Sequence, residues 1–415
     1  MTDVALYTAL LHLQEPWYIS RLDVDVKSEE VHVFVSDRHG RLPCPTCGES
    51  CLVEDHVEER VWRHLDLWQA KTFIHARLPR TRCPTHGVLR VAMPWAEPNS
   101  RFTVWFESQV ILCITSCQTV EGARTLMRIS WDEARGIMER AVARGLERRE
   151  ASSVSYLGVD EKSIRKGHQY VTVLTDLDGR RIMEVSPGRT KASMLECLER
   201  LNSTQIAAVE AVSMDMWEPY RLAVEEHFPQ PGPDIVHDRF HIISHANDAL
   251  NEVRKEEVRE LAGEGRHDLK GMRQAILFGE ENLPERHEAS IAQMKASDLR
   301  TAKGYAIKEN LRRCWHHRLV RTAKQHFRQW IRWARRSGLK PFVKVADLVH
   351  NHLKNIVSYF KHRITNGPQE GMNAKLMSVI RSARGYRSAE TFRMAALFFL
   401  GRLDLSPRAH RERTH

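Results

Sequence analysis

The chain has 415 residues, 42% of them apolar and 28% charged, the balance of a globular protein of two or three domains. The longest apolar runs, such as "MAALFFL" at 394–400, fall far short of the roughly 20 residues a membrane helix needs, and "MTDVALYTALLHLQEPW" lacks the basic start of a secretory signal. Membrane-spanning and secreted classes are set aside and cytoplasmic residence is expected. Lys and Arg number 63 against 53 Asp and Glu, a net charge of +10 that favours polyanionic partners.

Residues 1–98 form the first expected domain. "VHVFVS" at 31–36 and "KTFIHARL" at 71–78 alternate like strands, and Pro79, Pro84, Pro94 and Pro98 punctuate the exit. Four of the eight cysteines lie in the first 83 residues, which points to a local metal site and not to a disulfide scaffold. Cys44-Pro-Thr-Cys47 and Cys83-Pro-Thr-His86 are two C-x2-[C/H] knuckles. Together they supply the four thiolate and imidazole ligands of a tetrahedral, structural Zn²⁺, with every position filled by protein. Cys51, His56 and His64 are alternative ligands should His86 not be the fourth.

Residues 99–150 lose the prolines and become helical. In "TVEGARTLMRISWDEARGIMERAVARGL", one helix starts at Thr119, with Glu121 in its first turn. A second starts after Ser130, with Asp132 and Glu133 in its first turn. That is helix-turn-helix spacing.

From 151 to 240 the pattern is α/β. "SYLGVD", "QYVTVLTDLDG" and "RRIMEV" read as consecutive strands, followed by a helix at 191–201, a strand "IAAVEAVSMD" at 206–215, a helix at 219–228 and a fifth strand at 234–238. Asp160 and Asp215 each close a hydrophobic strand, at the carboxyl edge where α/β proteins place their sites. Either alone reads as a turn residue. On neighbouring strands they would repel unless a cation such as Mg²⁺ joined them.

Residues 241–350 read as helices only. In "LVRTAKQHFRQWIRWARR", Val320, Ala323, Phe327, Ile331 and Ala334 form an apolar stripe beside a basic one of Arg321, Lys324, Arg328, Arg332 and Arg335. The basic stripe is either a solvated face or a phosphate-contacting surface. Trp330 and Trp333 are interleaved with it, for packing or for stacking on bases. The last helices fall within 351–402, and a basic tail at 403–415 is expected to be disordered. Within the last helices, "NGPQEGMN" begins a helix with Asn366 or Gly367 as cap and Pro368 at its first position. Glu370 then sits where a carboxylate faces free N–H groups.

A first strand ending in Asp, a fourth ending in Asp and a late helix bearing Glu is a ribonuclease H-like arrangement. The chain resembles bacterial insertion-sequence transposases of the DDE type, most closely the ISL-three group. The blocks that carry the resemblance are the zinc knuckles, the "TVEGA" helix-turn-helix, "GVDEKSIRKGHQYVTVLTDLDG", "SMDMWEPY", "DIVHDRFHI" with "ANDALNEVRKE", and "TNGPQEGMNAKLMSVIRSARGYR", in the family's order. The resemblance implies a multidomain chain: an N-terminal zinc-binding β-rich module, a helix-turn-helix, and an α/β ribonuclease H-like catalytic domain (151–240 and 351–402) with an all-α insertion at 241–350. It implies Asp160, Asp215 and Glu370 as catalytic residues that bind two Mg²⁺, with Mn²⁺ an acceptable substitute. It also implies DNA partners, namely the transposon's terminal inverted repeats and target DNA, and a homodimer or higher oligomer on DNA, nucleoid-associated when bound. DNA contacts are expected from Trp131 and Arg135, from the basic stripe, and from Arg381, Arg384 and Arg387 beside Tyr386. Asp238 and His241 are expected either to orient DNA or a ligand at the site or only to cap the next helix, and Asn373 is expected to support the site. In the zinc module His86 stands where Cys would serve as readily. The alternatives are a DNA-binding regulator with a defunct nuclease domain, or a nuclease without strand joining.

Overall fold

The structure, a computed structural model, describes all residues except 1–2, 12, 39, 150–152, 166–168, 365–366, 384–385, 387 and 408–415. The side chains at 3, 6, 10, 165 and 367–370 are also left undescribed. The chain resolves into two compact units. One holds the residues up to Arg149, a short return around Arg381 and the chain from Leu397. The other holds the remainder.

The first unit opens with α1 (Asp3–Leu10), then β1 (Trp17–Asp25), β2 (Glu30–Asp37), β3 (Arg41–Pro43), β4 (Ser50–Leu67), β5 (Ala70–Cys83) and β6 (Gly87–Arg90). The sheet order is β1-β2-β5-β4-β3, with β6 on β5. Alternation in β2 buries Val31, Val33 and Val35 against Ile74 and the edge-to-face indoles of Trp17, Trp62 and Trp95. Three helices follow: α2 (Val104–Cys117), α3 (Val120–Met127) and α4 (Trp131–Arg148). The caps read from sequence form. Thr119 accepts from the Gly122 N–H, and Ser130 and Glu133 make a reciprocal capping box. Arg128 stops α3 in the left-handed region. Buried Glu107 on α2 ties α4 down. It accepts from Arg140 (2.9 Å), from Arg144 (3.3 Å) and from the Ser100 hydroxyl (2.7 Å).

Part of the expected disordered tail is ordered. Arg144 donates to the Leu405 carbonyl (3.1 Å), and Arg148 to the Asp404 carboxylate (2.8 Å) and the Ser406 carbonyl (2.7 Å). Leu403 packs so close to α4 that a Cβ on Gly145 would lie 2.6 Å from its own. Residues 408–415 lie outside the described residues.

The second unit begins with the hairpins of β7 (Tyr156–Arg165), β8 (Gln169–Asp176) and β9 (Arg181–Pro187). Next come α5 (Lys191–Leu198), α6 (Ser203–Ala208), β10 (Ala211–Met214), α7 (Glu218–His227) and β11 (Asp234–His237). The order is β11-β10-β7-β8-β9, with β7, β8 and β9 antiparallel and β10 and β11 parallel to β7. Its core includes Leu157, Val159, Leu174, Val212 and Tyr220. Two expectations are corrected. The strand expected at 206–215 begins only at Ala211, because Asn202 and Gln205 form a capping box that starts α6. Asp160 does not end its strand, since β7 runs on to Arg165 through pairing with β8.

The helical region comprises α8 (Arg239–Gly263), α9 (Glu285–Lys295), α10 (Arg300–Arg313), α11 (Val320–Arg335), α12 (Lys340–Asn351), α13 (Leu353–Val357) and α14 (Tyr359–His362). It has its own core, built around Leu250, Tyr305, Phe327, Trp330 and Phe342. Last come α15 (Gly367–Ser382) and α16 (Ala389–Leu400). No helix among the described residues is long and apolar enough to cross a membrane.

Candidate functional site

The parallel register sets the geometry of the sheet's carboxyl edge. β7 and β10 pair Tyr156 with Ala211 and Gly158 with Ser213, so continuing that register by two residues sets Asp160 level with Asp215. β10 and β11 pair Met214 with His237, and one further step sets Asp238 level with Asp215. Neighbours at one level of a parallel sheet share a face, so the continued register puts three aspartates in a row, Asp160 on β7 and Asp215 and Asp238 just beyond β10 and β11. Although Asp160 is not terminal, it lies just past the end of the parallel ladder, and the site falls where a strand end would have put it.

Each carboxylate has its own surroundings. Asp160 accepts from the Glu161 N–H (2.7 Å) and, on its other oxygen, from the Asn373 side-chain amide (2.6 Å) and the Lys162 ammonium (2.8 Å). Asp215 accepts from the Met216 N–H (2.6 Å), and His241 Nδ1 stands 3.5 Å away. Asp238 is the N-cap of α8, accepting from the Phe240 N–H (2.9 Å), with His241 Nε2 3.8 Å from its second oxygen. His241 thus spans the two aspartates that follow β10 and β11. Beneath them His237 is buried against the Met214 carbonyl and Asn355. Burial, reinforced by the neighbouring His352, pushes it down to about 4, which keeps it neutral.

Helix α15 reaches this edge through Asn373. Position 370 lies one turn earlier on the same helix, hence on the same side as Asn373, and the Glu370 side chain lies outside the described ones. Lys162 was missed by the sequence reading. It lies two residues from Asp160 on one strand, so period-two alternation alone would have set it on the same face. Arg189 was also missed. It stacks over Tyr170 (4.5 Å) and Trp217 (5.4 Å) and pairs with Glu161 (3.3 Å).

The expected nucleic-acid contacts divide. Trp131 and Arg135 are exposed in the first turns of α4, the indole donating to Glu121 (3.1 Å) and Arg135 pairing with Glu139 (2.8 Å). On α11, Arg321, Lys324, Arg328 and Arg332 are exposed and carry no ion pair among the described residues, whereas Arg335 pairs with Asp347 (2.7 Å). Trp330 is buried and donates to the Ile307 carbonyl (2.8 Å), so it packs and offers no face to a base, while Trp333 is exposed. Val320, expected in the apolar stripe, is also exposed. Arg381 is exposed at the end of α15. Arg384 and Arg387 lie outside the described residues, and the hydroxyl of Tyr386 donates to the Val379 carbonyl (3.4 Å).

In the first unit, the β3–β4 and β5–β6 hairpins bring both knuckles to one end of the sheet. The ligand atoms of Cys44, Cys47, Cys83 and His86 all lie within 4.8 Å of one another. Cys47 and Cys83 sulfurs are 3.7 Å apart, and His86 Nδ1 is 3.4 Å from Cys83 and 3.8 Å from Cys44. Ligands about 2.0–2.3 Å from one tetrahedral ion stand about 3.5–3.8 Å apart, so this donor set fits zinc. The alternative ligands are otherwise occupied or set apart. His56 pairs with Asp37 (2.8 Å), His64 bonds Thr103 (2.9 Å), and Cys51 is buried beside the cluster without joining its four.

A sheet of this order, with acidic side chains rowed at its carboxyl edge, is the nuclease-like α/β framework of DDE nucleic-acid-processing enzymes. The zinc ribbon and helix-turn-helix that precede it imply DNA binding. Comparison with known proteins agrees. The chain belongs to the ISL3 family of insertion-sequence transposases. That family's transposase domain matches residues 157–396, its helix-turn-helix domain matches 91–142, and the zinc finger of the IS204/IS1001/IS1096/IS1165 transposases matches 41–86. The chain is similar to the transposase for insertion sequence element IS1557 of Mycobacterium tuberculosis, in strains CDC 1551 / Oshkosh and ATCC 25618 / H37Rv. Identity is 29% over 445 residues, covering 99% of this chain and 98% of the relative. It is also similar to the transposase for IS1001 of Bordetella parapertussis, 24% identical over 353 residues, covering 84% and 86% of the two chains. DDE membership implies a divalent metal at the acidic site, and the ribbon's Cys3His set fits a structural zinc ion.

Proposed function

We propose that this chain binds the terminal inverted repeats of its insertion sequence, cleaves DNA there in a Mg²⁺-dependent reaction and joins the freed 3′-hydroxyl to target DNA. The reading is supported most by one observation: the β7–β10 register, continued by two residues, sets Asp160 level with Asp215, and Asn373 of α15 donates to Asp160. Asp160, Asp215 and Glu370 are the three carboxylates assigned to hold the metal. Two Mg²⁺ ions held there would activate water as the nucleophile and offset the charge that grows on the phosphorus oxygens.

The chain's own residues do the rest. Asn373 fixes the Asp160 carboxylate, leaving its lone pairs in a set orientation. Lys162 offsets charge in the acidic row by pairing with Asp160, and with a cation held by the carboxylates it would be free to meet a phosphate. Trp131 and Arg135, at the start of α4, meet the major groove of the terminal repeat. Arg321, Lys324, Arg328, Arg332 and Arg381 meet backbone phosphates. No covalent protein–DNA intermediate is required, so positioning and electrostatics account for catalysis. Bringing two ends together calls for at least two copies on DNA.

The test is cleavage of a duplex carrying the element's own end, with strand joining scored on the same gel. Asp160→Ala, Asp215→Ala and Glu370→Ala should each abolish Mg²⁺-dependent cleavage and leave end binding intact. Robust cleavage by all three variants would overturn the reading. Cleavage without joining by the native chain would leave a nuclease, and binding without cleavage a regulator.

A further inference from the structure

Within the first unit, a cleft of about 670 Å³ opens where the sheet meets the turn before α4. Its walls carry five cations: Arg60 and Arg63 from β4, Lys71 from β5, Arg101 from the segment before α2, and Arg128 from the turn itself. Acidic compensation is thin. Asp66 is shared by Arg63 and Arg128. Glu133, the one carboxylate of the wall among the described residues, accepts from the Ser130 N–H (2.8 Å) and hydroxyl (2.9 Å). Arg60, Lys71 and Arg101 have no ion pair among the described residues.

The site is built and not merely decorated. The Arg63 guanidinium is buried, lies over the rings of Phe73 (5.4 Å) and Phe106 (5.1 Å), and donates to the His64 carbonyl (2.8 Å). Arg60 lies over Trp62 (5.4 Å) and reaches the Ser100 carbonyl (3.4 Å). Partial burial, and then the like charges of Arg90 and Arg101, hold Arg60 below the ordinary arginine range. Cations gathered at the cost of mutual repulsion are relieved by a polyanion.

We propose that this cleft seats a phosphodiester segment of the DNA backbone, next to the groove that α4 enters. Guanidinium forks match phosphate oxygens in pairs. In helix-turn-helix proteins the start of the second helix meets base edges while neighbouring elements cross the backbone. Here the cleft wall includes Ile129 and Glu133, on either side of the α4 cap, so a duplex read by Trp131 and Arg135 runs its backbone past the cleft. The zinc module thereby contributes a sequence-independent contact to end binding. The inference rests on the reading of α4 as the groove-entering helix.

The experiment measures affinity of the full zinc-loaded chain by fluorescence anisotropy across a salt series. One duplex carries the element's own end and a second is unrelated in sequence. Each phosphate contact contributes about 0.9 to the slope of log affinity against log salt. The triple variant Arg60→Ala/Lys71→Ala/Arg101→Ala should therefore lower the slope by about 2.7. Between about 50 and about 200 mM salt, its affinity should change about 40-fold less than that of the native chain. The loss should be equal on the two duplexes, since a phosphate contact carries no sequence information. If the triple variant loses its zinc, Lys71→Ala and Arg101→Ala are read singly, each for a drop of about 0.9. A slope unchanged from the native chain, or a loss confined to the cognate duplex, overturns the proposal. A native chain that binds both duplexes equally tightly would instead count against specific end binding, and the slope would still report on the cleft.

Discussion

Glu107→Ala is the substitution with the largest consequence worked from the first unit. The side chain is 1% exposed and accepts from Arg140, Arg144 and Ser100. Truncation leaves Arg144, itself only 5% exposed, with Glu97 (2.6 Å) and the Leu405 carbonyl as partners, and leaves Arg140 without its carboxylate. Breaking a buried ion pair by removing one partner costs about 3–5 kcal/mol. Because the chain has two units, a single melting temperature would mix them, so the assay is amide hydrogen exchange resolved over α2 and α4. A cost of about 3–5 kcal/mol corresponds to a loss of protection of about two to three and a half orders of magnitude where exchange occurs by opening of this unit. End binding should weaken in parallel although no exposed residue of α4 has changed. Glu107→Gln, which keeps the shape and one acceptor, should lose less. Protection in α4 within about fivefold of the native chain for Glu107→Ala would refute the reasoning, since about 1 kcal/mol is the range of a surface pair.

Three further outcomes are expected. Metal analysis should find one zinc per chain, lost in Cys83→Ser and retained in Cys51→Ala; loss in the latter would place Cys51 among the ligands. Asn373→Ala removes the amide that fixes Asp160 and should slow end cleavage by about 10- to 100-fold with binding unchanged; a normal rate would dissociate α15 from the metal site. Burial, with Arg63 adding to it, pushes His64 down to about 4. The unfolded chain takes up that proton near the ordinary value of about 6.5. Between those values the unfolded state binds more protons, so the first unit should lose up to about 3 kcal/mol as pH falls through the window and be unaffected above it. Exchange protection of β4 measured in steps from about pH 7.5 to about pH 4.5 should show the loss in the native chain and a flatter profile in His64→Gln.

What could be read from sequence was whatever is short-range or periodic. The cluster of Cys44, Cys47, Cys83 and His86 was legible because two knuckles each present their donors three residues apart. Ser130 and Thr119 were legible as caps because a hydroxyl and the N–H groups it serves lie within one turn. The Asn202–Gln205 box carries the same signal, but the apolar run after it read as one long strand and masked the start of α6. Trp330 could not be told from a stacking residue, since its partner, the Ile307 carbonyl, comes from a different helix. Glu107 and the ordered end of the chain were illegible for the same reason. Glu107's arginine partners lie on α4, and Asp404 meets Arg148 across most of the sequence. Asp160 was proposed on an imperfect ground: its strand does not end there, but its parallel pairing stops just short of it.

The row of aspartates also bears on which parts of the gene can change length. Side chains in a strand alternate between faces, so inserting or deleting one residue within β10 or β7 would turn Asp215 or Asp160 to the opposite side of the sheet. The long helical excursion between β11 and α15 is under no such constraint, because it returns the chain to the sheet whatever its contour. Length polymorphism among relatives should therefore gather in that excursion and in surface turns, and be nearly absent from the four-residue β10. An engineered domain or tag is best inserted in an exposed turn of the helical region, such as that at Glu264–Gly265.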